Sequence, residues 1–219
     1  MPLNLRLIVH AILEEYALPR DGDHGVAHWA RVLENGLRLA GTTAANVEVV
    51  KLFAVFHDSK RVKETSDPDH GRFGAEFAAE LRGRVFELQD HDFALLYRAC
   101  VGHTHERTHP DITVQTCWDA DRLDLGRVGI TPDPSRLCTE AAREPTLIKW
   151  ADGRASFGVV PELVVDEWGI DLGCTNGQGS RSTGDVQESA ADGPQTGDEV
   201  RPLAEENAEA EGAGQKTDR

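Results

Sequence analysis

Val49-Val50-Lys51-Leu52-Phe53-Ala54-Val55-Phe56-His57-Asp58-Ser59-Lys60 is the stretch whose reading decides the fold. From Val49 to Phe56 its only charge is Lys51. The surrounding pattern predicts a helix starting at Thr43 and running from Ala44 to about Lys60, apolar on all sides in its second half. A helix of that kind is buried on every face and therefore central. It delivers His57 and Asp58 to the edge of a core. A carboxylate there is costly unless it meets a cation, either a metal ion or an arginine. Adjacent helical residues point about 100° apart, so both side chains reach one ion only in the crevice beside the helix.

Working outward, the neighbouring segments also carry apolar residues at helical spacing, and none alternates with the period of a strand. Leu3 to Leu18 has a broad apolar face of Leu3, Leu5, Leu7, Ile8, Ile12, Leu13 and Tyr16. Asp23 is placed to cap a helix over His24–Ala40, with Val26, Trp29, Val32, Leu33 and Leu37 inward and Gly41 as its stop. Further helices are predicted over Gly71–Arg82, Asp92–Gly102 and Asp111–Leu125, the second of these capped by Asp92. Gly126–Pro134 reads as a loop, and Pro161 caps or breaks the last helical segment, Leu147–Trp168. The fold class is all-α.

After Trp168 the composition changes. Leu172 to Arg219 has no aromatic residue and carries ten acidic against four basic residues, a net of −6 out of the chain's −15. Such a segment lacks the apolar surface to offset the entropy of ordering. The division is therefore a helical domain over 1–171 and a disordered acidic tail over 172–219. The acidic balance speaks against DNA or RNA polymers as partners, which need clustered Lys and Arg. No stretch approaches the roughly 20 apolar residues of a membrane span. Met1 to Tyr16 contains Glu14 and Glu15 and does not read as a signal peptide. Cys100, Cys117, Cys138 and Cys174 show no paired spacing, which predicts reduced thiols and a cytoplasmic location. Oligomeric state is not legible.

Chemistry concentrates in His28, within His28-Trp29-Ala30-Arg31-Val32; in His57-Asp58; and in Asp119-Ala120-Asp121-Arg122-Leu123-Asp124. These lie on three predicted helices. Two imidazoles and two carboxylates suit Mn, Co, Fe, Ni, Zn or Mg better than a thiolate-seeking ion. A second His-Asp pair, His91-Asp92, follows a polar run and reads as a helix start. Lys60, Arg61 and Lys63 follow the central dyad, while Arg72 and Arg122 flank other candidates. In so acidic a chain this local excess fits an anionic substrate, although Lys60, Arg61 and Lys63 would also complement a helix C-terminus and Arg122 could pair with Asp119 or Asp124.

In that order the residues resemble the HD superfamily of metal-dependent phosphohydrolases, over about His24 to Ile130. The opening pattern is His28-x-x-Arg31-Val32, the dyad His57-Asp58, and the closing Asp lies in Asp121-Arg122-Leu123-Asp124. The resemblance implies an all-α bundle and a divalent metal held by His28, His57, Asp58 and Asp121, with Asp119 competing for the last place. His70, in His70-Gly71-Arg72-Phe73-Gly74-Ala75, and His103, in Gly102-His103-Thr104-His105, resemble the third and fourth histidines of dinuclear members. They are either ligands of a second ion or substrate contacts beside a single one. His105 and His109 read as loop or rim residues. Some relatives that hydrolyse guanosine alarmones carry acidic residues directly after the dyad. Here Ser59-Lys60-Arg61 takes that place, which argues against that activity and leaves metal-bound hydroxide as nucleophile. The implied activity is hydrolysis of a nucleotide or other small phosphate ester, with Asp58 at the centre and Lys60, Arg61 and Arg122 stabilising charge. The alternatives are a dinuclear-iron oxygenase and a non-catalytic nucleotide-binding module.

Overall fold

The structure, a computed structural model, describes residues 3–173. Most of the expected acidic tail therefore lies outside the described residues. Among those described there are eight α-helices: α1 (Leu5–Glu14), α2 (Val26–Thr43), α3 (Val47–Phe56), α4 (His70–Leu81), α5 (Asp90–Gly102), α6 (Ile112–Arg122), α7 (Pro145–Ser156) and α8 (Leu163–Asp166). Short 3-10 turns at Leu125–Val128, Pro134–Arg136 and Ala141–Arg143 link α6 to α7. No strand occurs among the described residues, and none of their helices is long and apolar enough to cross a membrane.

The apolar run behaves as its composition dictates. Val49, Val50, Leu52, Phe53, Ala54, Val55 and Phe56 are all buried, and α3 is packed against α1, α2, α4, α5 and α6. Its ends differ from the expectation. Asn46 rather than Thr43 starts it, the side-chain oxygen accepting the N–H groups of Glu48 (3.0 Å) and Val49 (3.3 Å). Nor does Gly41 stop α2, which continues to Thr43 and ends where Ala44 turns left-handed at φ 58°. Asp23 does not cap α2 either; Gly25 holds that position. Leu37, placed inward from periodicity, is 37% exposed. Asp92 lies inside the first turn of α5 with Asp90, where negative charge suits the helix dipole, and Gln89 is the cap. Asp111 caps α6 through Thr113 N–H at 2.8 Å. The last predicted helix divides into α7 and α8, with Pro161 in the break.

Two glycines of α4 set where the chemistry falls. A methyl group on Gly74 would overlap the carbonyl oxygen of Phe56, and one on Gly71 would overlap the carbonyl oxygen of Cys100 and the His103 ring. Their lack of a side chain lets α4 press on the end of α3 and on α5, so that His70, His57-Asp58 and His103 converge.

Candidate metal centre

Five helices contribute. His28 comes from the first turn of α2, His57 and Asp58 follow α3, His70 opens α4, His103 follows α5, and Asp121 closes α6. His28, His57, Asp58, His70 and His103 are all buried. His28 Nε2 and His57 Nε2 are 3.0 Å apart. Asp58 Oδ2 lies 3.5 Å from His28 Nε2 and 3.7 Å from His57 Nε2, and Asp121 Oδ1 lies 3.6 and 3.8 Å from the same nitrogens. On the other side of Asp58, Oδ1 lies 3.1 Å from His70 Nε2 and 3.9 Å from His103 Nε2, which are 2.9 Å from each other.

The Nδ1 partners fix what these rings offer. His57 Nδ1 donates to the carbonyl of Phe53 (3.1 Å), His103 Nδ1 to that of Cys100 (2.7 Å), and His70 Nδ1 to that of Asp67. A carbonyl only accepts, so each Nδ1 carries a proton, and each ring when neutral presents a lone pair at Nε2. The Arg61 guanidinium lies 3.2 Å from Nε2 of His70, and the Thr104 hydroxyl 3.2 Å from Nε2 of His103. His28 Nδ1 donates to the buried Asp124 carboxylate at 2.7 Å, with the same result. Two pairs of lone pairs therefore face each other at 3.0 and 2.9 Å. That arrangement is repulsive by itself and fits a shared cation. Asp58 Oδ1 makes the same point: it is buried with no partner in hydrogen-bond geometry, although His70 Nε2 is near. A cation about 2.1 Å from its ligands requires ligand atoms about 3.0–4.2 Å apart, the range seen around His28, His57, Asp58 and Asp121.

Electrostatics agree. Burial pushes His57 down to about 3, against the pull of Asp58 and Asp121. Burial lowers His103 as well. His70 is pulled the other way: burial lowers it, but the hydrogen bond and charge of Asp58 prevail and raise it. For Asp58, burial works upward and is outweighed by His57, His28 and His70, which hold the carboxyl well below its usual range. Asp121, pushed up by burial, is brought to about 2 chiefly by His57 and Arg127. The centre presents carboxylates and mostly neutral imidazoles, the protonation states that metal binding needs.

The competition between Asp119 and Asp121 resolves geometrically. Asp119 turns away and accepts the N–H groups of Cys138 (2.6 Å) and Thr139 (2.8 Å) and the Thr139 hydroxyl (2.8 Å). Lys60 also turns away, pairing with Glu15 at 2.5 Å and lying over the Phe77 ring, outside the cavity. The expectation that it stabilises charge on a substrate is not met, because the chain turns after α3 and directs this side chain toward α1 and α4. Arg72 likewise pairs on the surface with Glu76 (2.8 Å), and Lys63 is exposed. Arg61 does reach the centre, its Nη1 3.7 Å from Asp58 Oδ1. Arg122 faces the same cavity but forms no ion pair with Asp119 or Asp124 within bonding distance; it donates to the carbonyls of Arg107 (3.1 Å), Arg136 (3.0 Å) and Glu106.

Asp58, His70, His103 and Asp121 belong to the wall of a cavity of about 620 Å³ that Arg61, Arg107, Arg122, Arg127 and Arg136 also line. A protein whose crystal structure has been solved is similar in fold and sequence: a predicted HD superfamily hydrolase from an uncultured Thermotogales bacterium. The two are 30% identical with a TM-score of 0.53, and the alignment covers 71% of this chain and 87% of that one. The chain belongs to the HD superfamily. No protein-family model and no curated protein matches it.

Within this HD fold, three features were not legible in the sequence. Asp124 accepts from both His28 and Arg31 (Arg31 Nε at 2.7 Å), and is held ionised by them against the upward push of burial. The spacing Asp121-x-x-Asp124 was the available signal. Arg127 lines the cavity from a segment that reads only as a loop. His24, in the turn just before the Gly25 cap of α2, is buried and paired with Glu64.

Proposed function

We propose that this HD protein is a divalent-metal-dependent phosphohydrolase acting on a nucleotide or another small phosphate ester. The observation that carries the metal is the pair of facing Nε2 lone pairs on either side of Asp58. His28, His57, Asp58 and Asp121 would hold one ion, and Asp58 with His70 and His103 a second; both three-residue groups that include Asp58 are compact and buried. Bound divalent ions supply Lewis acidity toward a phosphoryl oxygen and bring the pKa of a coordinated water toward neutrality.

The protein's own part is positioning and charge. Asp124 and the carbonyls of Phe53, Asp67 and Cys100 fix the four imidazoles, so no reorganisation is needed when ligand arrives. Arg61, Arg122 and Arg127 place positive charge on the cavity wall, where a phosphate's developing charge is stabilised. The arginines favour a phosphate over the oxygenase chemistry that a dinuclear histidine-carboxylate site would also permit, since activation of oxygen does not require them.

The test is anaerobic. Protein purified without chelator and supplied with Mn, Co or Mg should release inorganic phosphate from nucleotides or sugar phosphates in the absence of oxygen. Its metal content should approach two ions per chain and fall by about one in His70→Ala. Turnover that needs iron and oxygen would overturn the phosphohydrolase assignment, and an unchanged metal content in His70→Ala would overturn the second ion.

A further inference from the structure

The cavity is larger than a phosphate group needs. Its floor is the buried group Asp58, His70 and His103, and its rim is exposed, with Arg107 and Arg136 among the exposed residues. At about 620 Å³ it lies in the range of pockets that enclose drug-sized ligands. Leu125, Ile130 and Leu137 give its wall an apolar part.

The five arginines of the cavity are not equivalent. Arg61 donates to the carbonyls of Lys63 (2.9 Å) and Thr65 (2.6 Å), and Arg127 to those of Asp23 (2.9 Å) and Asp124 (3.1 Å). Arg122 is committed to three carbonyls. Among the described residues Arg136 has no hydrogen bond or ion pair from its guanidinium, and Arg107 uses only Nη2, toward the Ser135 carbonyl at 3.2 Å. Two guanidinium groups at the rim thus keep most of their donors free.

The backbones that carry them are tied to each other. The Arg122 guanidinium donates to the backbone carbonyls of both Arg107 and Arg136, bracing the segments that carry them. Of the acidic neighbours, Glu106 is taken by Arg98. Asp133 shares the cavity wall with both arginines and turns its Oδ1 to the Ser135 N–H at 2.8 Å, leaving one positive charge in excess. A planar guanidinium with free N–H groups matches a phosphate or carboxylate in a bidentate fashion.

We propose that Arg107 and Arg136 form a second anion subsite at the cavity rim, and that the substrate of this chain carries a further anionic group besides the phosphate that is cleaved. The subsite rests on the phosphohydrolase reading for its other half. A nucleoside with two separate phosphates has the required chemistry: one anion at the floor, an apolar ring system along Leu125, Ile130 and Leu137, and a second anion at the rim.

The experiment compares adenosine 5′-monophosphate with adenosine 3′,5′-bisphosphate on the Mn-loaded full chain. Wild-type kcat/KM should favour the bisphosphate by about tenfold or more, the scale of one well-formed charged contact. In Arg107→Gln/Arg136→Gln that preference should fall to within about twofold, mainly through KM for the bisphosphate, while Arg107→Lys/Arg136→Lys retains part of it. Absence of the preference in the wild type, or an equal loss on both substrates, would overturn the subsite. If neither compound releases phosphate, the hydrolase reading fails separately. The shift in melting temperature with the same two compounds then decides: a larger shift from the bisphosphate that disappears in the glutamine variant supports the subsite, and equal shifts overturn it.

Discussion

Replacing Asp124 by Asn removes one charge and nothing of the shape, which makes it a sharp perturbation of the proposed metal centre. The wild-type carboxylate is fully buried and accepts three bonds, from His28 Nδ1 (2.7 Å), Arg31 Nε (2.7 Å) and Arg31 Nη2 (3.1 Å). An amide offers one acceptor oxygen and one donor NH2 in the same place. If its oxygen turns to Arg31, the NH2 faces His28 Nδ1 and the ring must shift its proton to Nε2, directly into the proposed ligand position. If the oxygen turns to His28, the NH2 faces Arg31, whose guanidinium is nearly buried. Leaving a buried charge without its partner costs about 3–5 kcal/mol. Loss of a carboxylate that orients a ligand histidine reduces metal affinity by about 10–100-fold. Competition against a chromogenic chelator would measure the affinity, and urea unfolding the stability. An Asn variant that binds Mn within twofold of wild type, with an unchanged unfolding midpoint, would refute the orienting role of Asp124.

Gly74→Ala should cost about 1–3 kcal/mol, because the added methyl would overlap the Phe56 carbonyl and α4 must move away; circular dichroism during urea titration checks this. The displacement carries His70, so metal content should fall toward one ion per chain, and full stability with full content would show that the contact is loose. In chelator-treated protein, acidification should weaken folding. The folded-state pKa of His57 is about 3, below its usual 6.5, so the unfolded chain takes up that proton first, and stability is lost as pH falls from about 6.5 toward 3. For His57 alone the loss between pH 7 and pH 5 is about 2 kcal/mol. His103 acts in the same direction and His70 in the opposite one. Denaturation midpoints at the two pH values measure the net effect, and a midpoint that rises on acidification would contradict it.

The fold was readable where the signal was local and strong. A continuous apolar run from Val49 to Phe56 admits little but a central helix, and α3 is buried throughout. Helix ends were less readable, because several candidate caps compete and tertiary packing chooses among them. Asn46 prevailed over Thr43, and Gly25 over Asp23. Asp119 and Asp121 are two residues apart, or about 200° around a helix, so only one can face the centre. The sequence holds that constraint but not which face is inward. Lys60 illustrates the limit of adjacency: two residues beyond Asp58 the helix has ended, and nothing in the order of residues tells where the chain turns. Arg107 and Arg136 were unreadable for another reason. They lie 29 positions apart, and the Arg122 guanidinium that joins their backbones is visible only in space.

The same division between local and remote runs through the proposed metal centre itself. His57, His70 and His103 all lie at the ends of helices and send their Nδ1 protons to carbonyls three or four residues earlier, at Phe53, Asp67 and Cys100. Their tautomers are therefore fixed by short-range geometry that forms with the helix ends. His28 stands inside the first turn of α2, and its Nδ1 proton goes to a carboxylate 96 residues away. That carboxylate is steered in turn by Arg31, one helical turn after His28. Three of the four imidazoles can thus take their orientation from local structure, while the fourth waits until α6 and the turn after it have docked on α2. A substitution that loosens this docking, even one remote from every ligand, should reach metal affinity through His28 before it disturbs His70 or His103.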